Sequence, residues 1–214
     1  LKQLGNAVAS YEQANRLKPD YEYLDGIRQH IKMLMCDWQD FESNVLDLAE
    51  KIRLKKRVSP CFHVLSLPIN PNDLRAVAEL WSEDKYPYNS SLGPISKITS
   101  KSKIRIGYYS ADFHFHPVSI LTVGLFEHHD KSKFELIGFS YGPVVWDELR
   151  ERISNTFIQL IDVTLMSDKE VATLSRRLGI DIAIDLGGHT QNSRTGIFSY
   201  RAAPLQLSYI GYLG

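Results

Sequence analysis

Residues 104–121 read IRIGYYSADFHFHPVSIL, and the two halves of this stretch follow different rhythms. Ile104 to Tyr109 is a short apolar run with β-branched and aromatic side chains, bounded by Lys103 and by Ser110-Ala111-Asp112. That pattern predicts a buried strand over 104–109. From Pro117 the spacing becomes helical, with Val118, Leu121, Leu125 and Phe126 as its apolar positions, and proline suits a first helical turn because the N–H it lacks would have no partner there. Asp112, His114 and His116 therefore fall where a strand hands over to a helix. In an open α/β sheet that edge borders the ligand crevice, and the helix N-terminus adds a positive potential that favours a phosphate or a developing anion.

Downstream the same alternation continues. Strands are predicted at 134–140 (FELIGFS), at 157–161, at 181–186 (DIAIDL) and within LQLSYIG at 205–211, with helices near 118–128, 146–154, 168–178 and 195–201. Strands and helices alternating at this spacing imply a parallel sheet wrapped by helices, half of a doubly wound protein. Upstream the chain is helical. Leu4, Ala7, Val8, Tyr11, Ala14 and Leu17 make one apolar face ended by Pro19-Asp20, and YEQANRLKP fits either the second helix of a tetratricopeptide-like repeat or a plain amphipathic helix. Two further helices are expected between Tyr21 and Leu54, broken near Cys36-Asp37, and another capped by Asn72 or Asp73 that carries Leu74, Val77, Ala78, Leu80 and Trp81. The organisation expected is thus the end of a repeat (1–20), a helical linker region (21–85), a Ser-, Pro- and Lys-rich linker (86–103) and an α/β lobe (104–214).

Lysine plus arginine and aspartate plus glutamate each number 25, so net charge offers no broad reason to bind nucleic acid or an acidic membrane. The basic run from Lys51 to Arg57 reads as a solvated helix end. Val118 to Phe126, the longest apolar run, is far short of the roughly 20 residues that a membrane span needs. Two cysteines, Cys36 and Cys61, make no disulfide framework, which points to a reducing, cytoplasmic setting. A start at Leu1 with neither a basic leader nor a cleavage pattern is expected of a piece of a longer product.

The second chemistry-bearing cluster follows the 181–186 strand: Asp185, Gly187, Gly188, His189 and Thr190. Gly187-Gly188 either lets backbone N–H groups approach a ligand or simply makes a tight turn. His116 either has its imidazole oriented by Asp112, four residues earlier, for acid–base work, or packs while Asp112 caps a turn. A third reading takes His114 and His116 as a zinc pair completed by His189 or Asp185. His63, in PCFHVLSLP, lies on a loop where a lone histidine is usually structural.

KIRIGYYSADFHFHPVSIL, FEHHDKSKFELIGFSYGP and GIDIAIDLGGHTQNSRTGIFSYRAAPLQLSYIGYLG together resemble the N-terminal catalytic lobe of the O-linked N-acetylglucosamine transferase family, in its bacterial, SPINDLY-like branch. The upstream CDWQDF segment and YEQANRLKP resemble the join between repeats and lobe in that family. The resemblance implies a two-lobed GT-B glycosyltransferase with a Rossmann-like N-terminal lobe, which moves N-acetylglucosamine from UDP-N-acetylglucosamine to Ser or Thr of an acceptor protein, with inversion and no required metal. It makes His116 the histidine of the active centre and Asp112 the aspartate that helps take the acceptor proton. It places His63, Leu65, Thr190, Gln191, Arg194, Leu213 and Gly214 on the substrate-binding side. Phe115, Val118 and Gln191 stand where animal members have Asn, Thr and Lys, and GYLG stands where GYPG is common. A plant SPINDLY relative uses GDP-fucose on the same framework, so fucose transfer is an alternative, as is a non-catalytic protein-binding module. The C-terminal lobe that holds the nucleotide lies outside these residues, so the chain alone is expected to have little activity.

Overall fold

The computed structural model describes residues 2–95 and 102–213. They form two compact units, one reaching to Lys85 and the other Tyr86–Leu213.

The first unit is helical: α1 (Lys2–Leu17), α2 (Leu24–Leu34), α3 (Phe41–Arg53), a one-turn 3₁₀ helix at Cys61–Val64, and α4 (Pro71–Lys85). Its core takes Leu24 from α2, Val45, Leu48, Ala49 and Ile52 from α3, Val64 from the 3₁₀ turn, and Val77 and Ala78 from α4. Two expectations need correcting here. The acceptor at the start of α4 is Asn70, whose Oδ1 takes the Asn72 N–H at 2.8 Å, while Asp73 is buried against Arg53 at 2.8 Å. Proline at 71 explains the shift, because it fills the first helical position and leaves the cap to residue 70 just before it. The basic run is also more than a solvated end. Lys51 reaches Asp25 and Asp47, Arg53 reaches Asp73, and Arg57 reaches Asp84, so its cations tie the helices of this unit together.

In the second unit the strands are β1 (Ile104–Ser110), β2 (Phe134–Ser140), β3 (Gln159–Asp162), β4 (Ile182–Asp185) and β5 (Leu205–Ser208). The helices are α5 (Pro117–Glu127), α6 (Glu148–Thr156), α7 (Asp168–Arg177) and the single turn α8 (Gly196–Ser199). All pairings are parallel, in the order β3-β2-β1-β4-β5. This is the Rossmann-like arrangement that the alternation predicted. Side chains leave each strand on alternate faces, so two cores result. Tyr109, Ile137 and Phe139 pack with Val171 and Ala172 of α7 and Ile197 of α8; Ile106, Tyr108 and Leu136 pack with Val123 and Phe126 of α5 and Leu149 and Ile153 of α6. Tyr109 and Phe139 are register partners, stacked with centroids 4.3 Å apart, a pairing worth about 0.5–1.5 kcal/mol beyond its buried area.

Element ends shift where caps decide them. Helix α6 begins at 148 rather than 146 because Asp147 has extended backbone and its carboxylate accepts from Arg150 N–H at 2.9 Å. Helix α8 stops after one turn, since Arg201 takes a positive φ of 57° and Ala202-Ala203 must bury between the sheet and α7. The described part of the 86–103 stretch is anchored rather than free: Tyr86 O and Asn89 N bond Ser199, and Arg176 donates to the carbonyls of Leu92 and Gly93.

The chain runs outward from β1 to β3, then returns to place β4 on the other side of β1. That reversal is a topological switch point, and the carboxyl edge where the turns leave β1 and β4 is the place at which open α/β sheets form their ligand crevice.

Candidate active site

The turn after β1 is built from its own side chains. Ser110 Oγ accepts from Asp112 N–H at 2.9 Å, Ser119 of α5 donates its hydroxyl to Asp112 O, and His114 N–H reaches the same carbonyl at 2.8 Å. These bonds turn the chain within four residues and deliver His116 to the N-cap of α5 with extended backbone, φ −151° and ψ 149°. The His116 side chain is 39% exposed and that of Asp112 is 21% exposed, so both face the open edge.

His116 Nδ1 has two neighbours that want opposite things from it. It lies 3.3 Å from Val118 N–H, which calls for a lone pair, and 3.6 Å from Asp112 Oδ2, which calls for a proton. Only one is satisfied at a time. With Nδ1 capping the helix, the neutral ring carries its proton on Nε2 and offers the crevice a donor. With the Nδ1 proton turned to Asp112, Nε2 presents a lone pair, the form a general base needs. His114 stands beside it, ring centroids 5.9 Å apart, its Nδ1 buried without a partner. Among the described residues no third His, Cys, Asp or Glu joins the two in a metal-holding group.

The second cluster is arranged differently from the glycine reading. Asp185 is 3% exposed, and its carboxylate accepts the N–H groups of Gly187, at 2.9 Å, and Gly188. Burial raises its pKa above the ordinary carboxylate value, and those two N–H groups offset only part of the rise. The backbone donors of the pair are therefore engaged by the protein rather than open to a ligand. Gly188 has φ +60°, and a Cβ on it would meet Tyr212 O at 2.0 Å. Close passage of residues 211–212, sealed by His189 N–H to Tyr212 O at 2.7 Å, is what demands glycine there.

Of the residues assigned to substrate, Thr190 bonds Gly187 O through its hydroxyl at 2.9 Å, and Gln191 is exposed. Arg194 faces the turn between β3 and α7: Nε bonds Asp168 at 2.8 Å, Nη1 bonds Val163 O at 3.0 Å, and Nη2 bonds Met166 O at 2.6 Å. Its guanidinium lies 5.7 Å from the Tyr141 ring. Leu213 is 54% exposed, and Gly214 lies outside the described residues. His63 and Leu65 belong to the first unit. There the His63 ring meets His30 edge-on at 4.6 Å, Leu65 is exposed, and burial, aided by His30, lowers the His63 pKa below the usual histidine value. The structure thus brings Asp112, His114, His116, Asp185 and Thr190 to one sheet edge.

Tyr141 joins the two turns, and sequence reasoning missed it. It follows β2, its N–H reaches Ser110 O at 3.1 Å, and its hydroxyl is buried close to the Arg194 backbone. Burial, then the charges of Asp185 and Asp112, hold that phenol well above its usual pKa. The available signal was its place one residue beyond a central strand of the sheet.

Comparison with known proteins fits this geometry. A probable UDP-N-acetylglucosamine–peptide N-acetylglucosaminyltransferase, SEC, of Arabidopsis thaliana is 28% identical over 205 residues, covering 86% of this chain and 20% of that protein. The UDP-N-acetylglucosamine–peptide N-acetylglucosaminyltransferase of Caenorhabditis elegans is 27% identical over 195 residues, 84% of this chain and 17% of its own length. A SPINDLY protein of Hordeum vulgare, named as a probable transferase of the same kind, is 36% identical over 111 residues, 50% of this chain and 12% of its own. The chain thus spans a fifth or less of these relatives. In fold it is similar to a mutant O-GlcNAc transferase of Thermobaculum terrenum, with a TM-score of 0.68 and 23% identity over 98% of this chain and 41% of that one. The model of glycosyl transferase family 41 matches residues 35–214, which takes in the GT-B-type lobe together with α3 and α4 of the helical unit. Strand order, the histidine-bearing turn at the switch point and that match agree: the chain belongs to glycosyl transferase family 41.

Proposed function

We propose that this chain supplies the N-terminal catalytic lobe of a protein O-N-acetylglucosaminyltransferase that uses UDP-N-acetylglucosamine. One observation carries the reading: a half-exposed imidazole at a helix N-terminus, 3.6 Å from a carboxylate, at the open edge of a switch-point sheet. In an inverting transfer the acceptor Ser or Thr oxygen attacks the anomeric carbon from the face opposite the nucleotide. The bond from that carbon to the diphosphate oxygen breaks, its electron pair leaves with UDP, and the hydroxyl proton passes to a base. We assign that proton to Asp112 and His116, with Asp112 3.6 Å from Nδ1 as the group that orients the ring and Nε2 as the atom that takes the proton. The leaving diphosphate needs cationic or backbone donors, a role we assign to the second lobe of the GT-B arrangement. The 214 residues alone are then expected to turn over little donor, and robust turnover by them would refute that assignment.

His116→Ala in the full-length protein is expected to lower kcat at least about tenfold. An unchanged kcat removes this histidine from the mechanism. A second donor is tested in the same assay, because the Hordeum vulgare SPINDLY protein is 36% identical over 111 residues, against 28% over 205 residues for SEC. Thermal-shift titration with UDP-N-acetylglucosamine and with GDP-fucose separates the two, since at a given concentration the donor with the lower Kd stabilises more, as the logarithm of one plus concentration over Kd.

A further inference from the structure

The chain leaving β2 presses on the turn after β1 at three places. Gly142 lies so close to Ala111 that a Cβ would meet Ala111 O at 1.8 Å. Asp147, at the N-cap of α6, takes Arg150 N–H on Oδ1 at 2.9 Å and Phe115 N–H on Oδ2 at 2.6 Å. Arg150, in the first turn of α6 and 4% exposed, carries its buried guanidinium to Phe113 O at 3.0 Å and Ser140 Oγ at 3.4 Å. One helix start thus grips the backbone on both sides of His114, immediately before His116. A buried arginine is costly to desolvate, and this one makes its hydrogen bonds through Nη1 to a main-chain carbonyl and a serine hydroxyl, while its charge also acts on Asp162 and its Nε has no hydrogen-bond partner; the bonds it does make fix the loop. The carboxylate likewise does two jobs with two oxygens. Capping α6 alone would need one.

We propose that Asp147 and Arg150 are positioning residues: together they clamp the 113–115 backbone and thereby set where the His116 ring stands against Asp112 and Val118. The inference rests on the transferase reading for its catalytic consequence and on geometry alone for its structural one. Side chains at an active centre lose rate steeply with displacements of about 1 Å, so the clamp is expected to show in turnover more than in donor affinity.

The test uses substitutions that spare the fold. Asp147→Ser keeps a good N-cap with one acceptor but gives up the second, so the melting temperature is expected to hold while the bond to Phe115 is lost. Arg150→Met removes the donor to Phe113 O at similar volume, and Arg150→Lys restores a cation that can donate. In the full-length protein, Asp147→Ser and Arg150→Met are each expected to lower kcat at least about fivefold with KM for the sugar nucleotide within about twofold, and Arg150→Lys to recover most of the loss. Nitrogen-15 spectra of the His116 ring, assigned by its disappearance in His116→Gln, are expected to move toward those of a free histidine in both damaging variants. Ring signals unmoved in both overturn the proposal, as does a kcat within about twofold of wild type in an enzyme that His116→Ala disables. If His116→Ala leaves turnover intact, the transferase role of that histidine fails separately, and the ring signals alone decide the clamp.

Discussion

At the scale of single residues, the competition at His116 Nδ1 is what gives the site a choice of chemistry. A ring fixed by Val118 alone would be a donor, and a ring fixed by Asp112 alone would be a base. With both neighbours in reach, the balance is set by how the turn is held. Asp185 shows the opposite case, a carboxyl whose partners satisfy its oxygens without restoring what water supplied. Its folded pKa lies above the ordinary value, so the folded state holds the proton more tightly than the unfolded chain does. The sign follows: the group's contribution to stability is greatest below the ordinary carboxylate pKa and is lost as pH rises through the folded value. Asp185→Asn keeps an oxygen for Gly187 N–H and removes the titration, but it sets an amide donor where the carboxylate also accepts from Gly188 N–H. The melting temperature of the variant relative to wild type is therefore expected to fall as pH drops from 7 toward 4, where wild-type Asp185 gains its stabilising proton. Melts at intervals across that range check it, and a pH-independent difference would contradict it.

At the scale of elements, caps and close approaches decide where helices start and how they meet the sheet. Helix α7 opens with a capping box: Ser167 Oγ accepts from Glu170 N–H at 3.3 Å, and Glu170 accepts from Ser167 N–H at 2.7 Å. Ser167→Ala is expected to cost about 1 kcal/mol in urea unfolding. Gly142 is the tighter constraint, because its neighbour is a backbone carbonyl that cannot swing aside. Gly142→Ala is expected to destabilise by about 1–3 kcal/mol, as overpacking does, read from the urea midpoint at unchanged slope. A loss well under that range would mean that the segment after β2 moves off Ala111 freely.

At the scale of the whole molecule, the second unit carries its own two-faced core and, among the described residues, a five-stranded parallel sheet. Residues 86–93, bonded to α7 and α8, belong to it structurally. A chain of residues 86–214 is therefore expected to fold by itself, with mixed helix and strand circular dichroism and a cooperative thermal transition. A featureless melt would show that the sheet depends on the helices before it.

Much of this was legible in the letters. Ile104 to Tyr109, FELIGFS and DIAIDL declare buried strands because parallel strands covered on both faces need continuous apolar runs, and Pro117 marks the start of α5 because only there is a missing N–H harmless. Local chemistry was enough to place Asp112 and His116 on a strand-to-helix turn. What the letters could not carry is everything that depends on which strand lies beside which. Tyr141 matters because β2 ends against β1, Gly188 because Tyr212 O arrives from residues 24 positions later, and Arg194 turns to Asp168 because α7 begins there. Periodicity and caps are short-range properties, written in a dozen residues at a time. Close approaches between distant segments come into being only when the sheet assembles, so the tertiary structure alone decided which polar groups engage one another and which face the crevice.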